Sequence, residues 1–409
     1  MAKEGNKQER NSALKRNFSR MFWIRLFFDV RFLHVVSVLF YLHRGLTLEE
    51  VFYLAIVWSV VSLISEVPSS YMADKWGRKK TLILGTLFVN LHWIIYFFAW
   101  DFVWFAVGVG LVSLSYSFFS GTDEALIYDT GRELKKEGKS LKRFGKYYSA
   151  RHLAKVFTPV IGALIARNLL EWQFQTLIIL DLIATMVSLV IAFRIVEPKH
   201  FYKVEKQEAG IILDAINIIR ANWVFVKAIL SRVLIFIATF IAWRYHQKFF
   251  VDINISILTI GIMYGVTQLC GFIFNQKAHL FLPKVTLRKK INVFNGIVTF
   301  FIFLFVMCYF FFFNNYLLLI FYSAFVFFEL ARWPMYSEWF NKNIKSYNRA
   351  TTLSLANFLK GVLDIPILFL GAYLIGMGMI YPYILSLALA VVVVLFFRLP
   401  KKVEKGAKV

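Results

Sequence analysis

The amino-acid sequence predicts an all-α integral membrane protein with twelve transmembrane helices in two six-helix bundles. Of its 409 residues, 59% are hydrophobic and only 17% are charged, whereas a soluble domain is roughly half apolar with about a quarter of its residues charged. The apolar residues form long runs, and the basic residues fall between the runs. The formal net charge of +23 therefore predicts basic loops outside the hydrocarbon and no nucleic-acid-binding face.

The first observation behind this prediction is the length of the apolar runs. A membrane-spanning helix needs about 20 mostly apolar residues because the hydrocarbon core is about 30 Å thick. Twelve segments meet this need, and they are numbered here as spans 1 to 12: 21–42, 51–73, 80–99, 103–125, 148–168, 173–195, 223–245, 254–275, 288–311, 315–337, 351–374 and 379–399. The fifth differs from the others in having Arg151, His152 and Lys155 near its start.

The second observation is the distribution of Lys and Arg. Cytoplasmic loops of membrane proteins are rich in these residues. With the N-terminus placed inside and the spans alternating, 41 of the 47 basic residues fall in cytoplasmic segments and four in segments on the opposite side. This asymmetry predicts that both termini are cytoplasmic.

The third observation is a long polar stretch in the middle of the chain. Residues 196–222 predict a cytoplasmic linker between an N-terminal bundle, 21–195, and a C-terminal bundle, 223–399, with cytoplasmic tails at 1–20 and 400–409. A faint internal repeat agrees with this division. Lys155, Pro159 and Gly162 of span 5 recur as Lys360, Pro366 and Gly371 of span 11.

The short loop between spans 2 and 3 carries the sharpest local motif. It reads Ser-Tyr-Met-Ala-Asp-Lys-Trp-Gly-Arg-Lys-Lys over residues 70–80. A basic loop that follows the positive-inside rule explains Lys75, Arg78 and Lys79. It does not explain the acid Asp74 followed three residues later by Gly77.

This loop resembles the signature of the major facilitator superfamily, which has Gly, three residues, Asp, a base, any residue, Gly and two bases. Ser70 stands where the family has the first Gly. The resemblance implies a transporter fold in which this loop helps latch the two halves, with Asp74 near the start of span 11 at residues 349–352. A carboxylate near a helix N-terminus is stabilised by about 0.3–1 kcal/mol, which is enough to bias a two-state movement.

Other segments look like one bacterial branch of the same family, namely residues 66–69, 121–129 and 349–351. The resemblance covers nearly the whole chain and implies a multi-pass protein of the plasma (inner) membrane. Span 5 is also similar to the helix 5 pattern of drug/proton antiporters at five small positions: Ala154, Thr158, Pro159, Gly162 and Ala163. Ordinary packing of small residues is an equal alternative, and the pattern tilts the prediction toward efflux.

Charged residues inside the spans are functional candidates because burying a charge in a bilayer is expensive. Three pairs can neutralise themselves within one helix at a spacing of three or four residues: Arg25 with Asp29, Glu329 with Arg332, and Lys360 with Asp364. Five others have no such neighbour: Arg31, Glu66, Asp123, Glu124 and Asp181. We predict a buried network between Arg31 and acids, with Asp29 as a further candidate, that exchanges a proton during transport. The alternative is a static network that holds the N-terminal bundle together.

These observations predict a transporter that exports a small solute in exchange for protons by alternating access. The solute would bind near the middle of the bilayer among spans 1, 4, 5, 7, 8, 10 and 11, and five residues are candidates to line the cavity: Tyr128, Asp181, Glu329, Lys360 and Asp364. Uptake or facilitated diffusion on the same fold remains open, as does a receptor or lipid scramblase. No cofactor, metal site, ATP-binding motif or enzymatic activity is expected, and we expect a monomer.

Overall fold

The computed structural model describes residues 2–135, 140–199, 223–277, 285–343 and 349–400. These residues form helices and turns, with no β-strand among them. The chain divides into two compact units, which are treated separately below. The N-terminal unit comprises Met1–Leu46 and Val57–Glu205, and the C-terminal unit comprises Thr47–Ile56 and Lys206–Val409.

Eight α-helices lie in the described residues before 200. They are α1 Ala2–Asp29, α2 Ser37–His43, α3 Leu48–Trp76, α4 Arg78–Phe98, α5 Phe102–Phe119, α6 Thr122–Glu133, α7 Ser140–Ile165 and α8 Glu171–Phe193, with a 3-10 turn Leu33–Val36 before α2. Six α-helices lie in the described residues after 222. They are α9 Trp223–Asp252, α10 Ile257–Lys277, α11 Leu287–Met307, α12 Asn315–Asn343, α13 Arg349–Met377 and α14 Tyr381–Phe396, with a π-helical turn Cys308–Phe312 after α11.

Within the described residues, ten helical stretches are long and apolar enough to cross a membrane. The protein is therefore a multi-pass membrane protein. The other two predicted spans fall on α7 and α14. Helix α7 carries several charges in its first half, and α14 is an apolar helix of only 16 residues. The count of twelve thus stays a prediction for these two segments, as do the cytoplasmic termini.

Spans 1 and 4, predicted as continuous, are each interrupted. Span 1 consists of α1 and α2, with residues 30–32 between α1 and the 3-10 turn outside any helix. Span 4, predicted over 103–125, contains α5 and only the start of α6, separated at Ser120 and Gly121, where Gly121 has φ +74°. Because only glycine adopts such an angle without strain, Gly121 permits the change of direction.

The N-terminal tail predicted over residues 1–20 is helical from Ala2 and forms the first part of α1. Its residues are mostly good helix formers such as Lys, Glu, Gln and Arg. The Arg10 side chain donates to Glu133 Oε1 and Oε2 at 2.7 and 3.1 Å. The buried Asn17 exchanges hydrogen bonds with the backbone of Val196 at 2.8 and 3.1 Å. This tail therefore packs on the ends of α6 and α8. The predicted linker is described only as far as residue 199, and residues 401–409 lie outside the described part.

Candidate functional site

Two buried carboxylates share one guanidinium in the N-terminal unit. Arg25 Nε lies 2.5 Å from Asp29 Oδ2, one turn further along α1. Arg25 Nη1 lies 3.4 Å from Asp123 Oδ2 on α6. The three residues are only 3–6% exposed. Charges this deeply buried interact strongly because little water screens them.

Helix α7 completes this cluster from a third side. The hydroxyl of Tyr147, which is fully buried, donates to Asp123 Oδ2 and lies 3.4 Å from Arg25 Nη1. Arg151 Nε lies 3.9 Å from Asp29 Oδ1, and its side chain is 40% exposed. We call Arg25, Asp29, Asp123, Tyr147 and Arg151 the shared-arginine cluster. It joins α1, α6 and α7 through charge.

Both carboxylates lie beside the helix interruptions. Asp29 is the last residue of α1, and Asp123 is the second residue of α6 after Gly121. The Asp123 Oδ1 atom accepts the backbone N–H of Glu124 at 2.7 Å. A carboxylate at the first turn of a helix is favoured by the exposed N–H groups there, whereas one at the last turn is not. The charge of Asp29 is therefore stabilised by cationic side chains, chiefly Arg25, whereas Asp123 has Arg25 and a backbone N–H.

Asp123 and its neighbour Glu124 point to different surroundings, because adjacent residues of a helix lie on different faces. Asp123 is buried, while Glu124 is exposed and accepts a hydrogen bond from the hydroxyl of Tyr148. Glu66 is half-buried on α3, and its predicted role stays a prediction.

The structure places Arg25, rather than the predicted Arg31, between the acids. Arg31 lies in the interruption after α1, with its guanidinium carbon 5.3 Å from the ring centres of both Phe28 and Trp93. Its two terminal nitrogens are buried, and no described residue accepts a hydrogen bond from them. The sequence did not distinguish the two arginines because the interruption that lies between them and contains Arg31 was not predicted.

Asp181 holds the interrupted segment of span 1 from α8. Its Oδ1 accepts the backbone N–H of Phe32 at 2.7 Å and its Oδ2 accepts that of Leu33 at 3.0 Å. Backbone groups freed from a helix inside a membrane need such partners. Asp181 was predicted to line a cavity, and in the structure its fully buried carboxylate binds the backbone.

The small residues of span 5 pack against the same segment. A Cβ placed on Gly162 would collide with the carbonyl oxygen of Phe32. Ala154 and Thr158 are only 4% and 5% exposed, and Ala163 is fully buried. Pro159 lies inside α7 and is buried. This half of α7 therefore needs small residues in order to approach the interruption of span 1 closely.

The signature loop is described in part. Gly77 has φ +101° and directly precedes α4. The buried Arg78 forms an ion pair with Asp129 of α6. The backbone N–H groups of Arg78 and Lys79 donate to the two carboxylate oxygens of Glu197 at 2.9 and 2.7 Å. Lys75 is exposed, with its Nζ 5.5 Å from the ring centre of Tyr71.

The side chains of Ser70 and Asp74, and those at the start of α13, lie outside the described residues. Sequence reasoning missed the cap from Glu197, although an acid that follows span 6 directly was a visible signal. It also missed Asp129 as the partner of Arg78.

In the C-terminal unit, the predicted pairs within one helix are present. Glu329 is buried, lies 3.4 Å from Arg332 Nη2, and accepts the indole N–H of Trp333 at 2.7 Å. Lys360 Nζ donates to Asp364 Oδ2 at 2.8 Å.

Tyr128 of the N-terminal unit is 38% exposed. The proposal that it and the paired residues of the C-terminal unit line a cavity stays untested. No cluster of three or more potential metal ligands occurs in the described part of the chain.

Comparison with known proteins decides the family. The family model described as Major Facilitator Superfamily matches residues 26–365, which is most of the chain. The chain belongs to the major facilitator superfamily. It is therefore a membrane transporter and not an enzyme. No curated protein sequence matches it significantly.

Solved structures of other superfamily transporters share this fold. The D-xylose-proton symporter is 11% identical, with a TM-score of 0.73 over 95% of this chain and 98% of the symporter. The nucleoside transporter NupG is 12% identical, with a TM-score of 0.74 over 93% and 98%. A bacterial homologue of the iron transporter ferroportin is 13% identical, with a TM-score of 0.69 over 95% and 97%. At these identities the similarity is one of fold, and the substrate does not follow from it.

Proposed function

We propose that this transporter exchanges a small solute for protons by alternating access, in the direction of export, and that Asp123 is the residue that binds the proton. The observation that carries the proposal is the shared-arginine cluster. One buried guanidinium contacts two buried carboxylates, and it lies nearer to Asp29 than to Asp123.

The positive charges around the cluster are divided unequally between the two acids. Asp29 has Arg25 in contact, Arg151 at 3.9 Å and the charges of Lys155 and Arg31 nearby. For Asp123 the described charged neighbours are Arg25, which attracts it, and Glu124, which repels it. A buried carboxylate with incomplete compensation can become neutral by taking a proton. Asp123 is therefore the better candidate of the two.

The position of Asp123 also suits a change between two states. It begins α6 directly after the interruption at Gly121, so a rotation of α6 would change its distance from Arg25. A carboxylate that is charged beside a guanidinium and neutral away from it takes up and releases one proton in each cycle. This link between helix position and protonation is what coupling requires.

The direction of export is supported by the small residues of span 5. They resemble the helix 5 pattern of drug/proton antiporters, and Gly162 and Ala163 are packed closely in the structure. Uptake together with protons is the second candidate, and the D-xylose-proton symporter is an example of that chemistry on this fold.

Proton flux in proteoliposomes tests the proposal. Purified protein is reconstituted with a pH-sensitive dye inside, and small amphipathic compounds are added outside by class. Export by antiport predicts that adding a transported compound raises the internal pH, because protons leave as the compound enters. Symport predicts a fall in internal pH.

The Asp123→Asn variant should lose the proton signal and still exchange labelled solute. The neighbouring Glu124→Gln serves as the matched control and should keep the signal. A wild-type protein that equilibrates labelled solute without moving protons would be a facilitator, and the cluster would then be structural. Movement of neither solute nor protons would favour the receptor or scramblase alternative.

A further inference from the structure

One face of helix α9 keeps partial exposure although the helix is largely buried. Between residues 231 and 242, every side chain is buried except those of Arg232, Phe236 and Phe240. These three residues are spaced by four, so their side chains lie on the same face of the helix. A single partly exposed face on a buried stretch of helix indicates that this face borders a space rather than a packed neighbour.

Two other helices of the C-terminal unit place side chains on this face. The Trp333 ring of α12 meets the Phe236 ring edge-on, with 5.9 Å between the ring centres, and the guanidinium carbon of Arg232 lies 4.3 Å from the Trp333 ring centre. The Lys360 Nζ of α13 lies 5.0 Å from the ring centre of Phe236 and 5.9 Å from that of Phe240. All five residues are half-buried, and we call them the aromatic–cation face.

The two charges on this face indicate that it borders water rather than lipid. Arg232 and Lys360 lie inside helical stretches that are long and apolar enough to cross a membrane. Charged side chains at such positions face the protein interior or a water-filled cavity. Neither charge is enclosed by protein, because the Lys360 side chain is 33% exposed and Arg232 is half-buried. The aromatic–cation face therefore has room for a solute beside it.

The accessible charges on this face are positive, whereas the acids near it are buried and engaged. Asp364 is fully buried and accepts a hydrogen bond from Lys360 at 2.8 Å. Glu329 is 6% exposed, and its Oε1 accepts the indole N–H of Trp333 at 2.7 Å. Among the described residues, no acid forms an ion pair with Arg232, whose guanidinium stacks on Trp333 instead. A solute beside the face therefore meets two cations and three aromatic rings.

We propose that the aromatic–cation face binds the transported solute and that this solute is an aromatic anion, a planar ring carrying a carboxylate. Two parallel N–H groups of a guanidinium match the two oxygens of a carboxylate, so the carboxylate pairs with Arg232. The ring of the solute packs against Phe236 and Phe240, because aromatic rings favour stacked or edge-on neighbours. This substrate class rests on the proposed function of solute transport.

Thermal unfolding of purified protein in detergent tests the proposal without transport. Sodium benzoate, sodium 2-naphthoate and sodium indole-3-acetate are titrated separately at constant pH and ionic strength. Two further probes each lack one feature: cyclohexanecarboxylate has no aromatic ring, and 2-naphthylmethylammonium has no negative charge. A ligand that binds only the folded state raises the unfolding temperature with its concentration. We expect a saturable rise with at least one aromatic acid, at a lower concentration than with either of the two further probes.

Three variants assign the binding to this face. Arg232→Gln should weaken binding of the aromatic acid about tenfold or more, because a charged hydrogen-bond partner is lost. Phe236→Leu keeps an apolar side chain but removes the ring, so the preference for the aromatic acid over cyclohexanecarboxylate should fall about threefold to tenfold. Lys227→Gln is the matched control, because it removes a half-buried cation from a different face of α9 and should respond like the wild type. If Arg232→Gln does not fold, Phe236→Leu remains as the test.

The possible results separate this substrate class from the proposed exchange for protons. No saturable response of the wild type to any aromatic acid, or unchanged affinity and preference in both face variants, would overturn the proposal. Tighter binding of 2-naphthylmethylammonium than of 2-naphthoate would also overturn it. Binding of an aromatic acid without proton movement would remove the coupling and keep the site. Proton exchange driven only by cationic or non-aromatic compounds would instead keep the coupling and remove the substrate class.

Discussion

The two units use buried charge differently. In the N-terminal unit, ion pairs connect residues far apart in sequence, such as Arg25 with Asp123, Arg44 with Glu171 and Arg78 with Asp129. In the described part of the C-terminal unit, two ion pairs with a buried acid connect residues of one helix, Glu329 with Arg332 and Lys360 with Asp364, and so does the exposed pair Lys248 with Asp252. Charge in the first unit therefore holds helices to one another.

Polar contacts between helices in the C-terminal unit include a neutral group. The hydroxyls of Ser231 and Tyr336 lie 2.8 Å apart, and the amide of Asn295 donates to them at 2.9 and 3.0 Å. A neutral contact does not change with protonation. The comparison leads to four predictions.

The largest effect is expected from Arg25→Gln. This change leaves Asp29 and Asp123 buried without their shared cation, and removing one partner of a buried ion pair costs about 3–5 kcal/mol. We expect a large fall in unfolding temperature and in the yield of monodisperse protein on size-exclusion chromatography. Adding Asp123→Asn should restore part of the loss. A fall no greater than that of Lys360→Met would contradict the contrast between the units.

A smaller loss is expected from Gly162→Ala. The added Cβ would collide with the Phe32 carbonyl oxygen, and overpacking of this kind costs about 1–3 kcal/mol. Gly296→Ala on α11 is the matched control, because a Cβ there meets no described atom within 4 Å, and alanine favours helix. Thermal unfolding should show a decrease for the first variant and no decrease for the second. Equal midpoints would show that span 1 can move away from α7.

Glu197→Ala should have a moderate local effect. It removes the acceptor for two backbone N–H groups at the start of α4, and loss of such a cap costs about 0.5–2 kcal/mol. Hydrogen exchange should accelerate at the amides of Arg78 and Lys79, while Glu197→Gln, which keeps an oxygen acceptor, should show less acceleration. Unchanged exchange in both variants would mean that other groups protect these amides.

The smallest effect is expected from Lys248→Ala. The Lys248 and Asp252 side chains are 35% and 36% exposed, and exposed pairs of this spacing contribute about 0.3–0.5 kcal/mol. The unfolding temperature should change by no more than the replicate error at physiological salt. A loss as large as that of Arg25→Gln would show that the pair lies in a less polar environment than its exposure suggests.

Much of the fold followed from local pattern. Apolar length identified ten of the spans, and the loop at residues 70–80 identified the family. The pairs Glu329 with Arg332 and Lys360 with Asp364 followed from helical spacing alone. The interruptions of spans 1 and 4 did not. The contacts that accompany the first, from Asp181 and Gly162, lie on other helices, and the second depends on the backbone angle of Gly121.

The candidate site was predicted less well than the fold. Asp29, Asp123 and Arg31 were all expected to matter, but Arg25 was assigned to Asp29 alone and Tyr147 was not considered. A hydroxyl on α7 that donates to an acid on α6 leaves no trace in the spacing of either residue. The role of Asp181 could not be predicted either, because its partners are backbone N–H groups, which every residue except proline has.

The sequence by itself determined that this chain is a membrane protein of the major facilitator superfamily, with most of its basic residues between the apolar runs. Hydropathy, charge and helical spacing act over a few residues, so they can be read without knowing the fold. Only the tertiary structure decided that Arg25 serves two acids and that Arg31 lies beside Trp93. Arg25 and Asp123 are 98 positions apart, and their contact exists because three interrupted or closely packed helices bring them together.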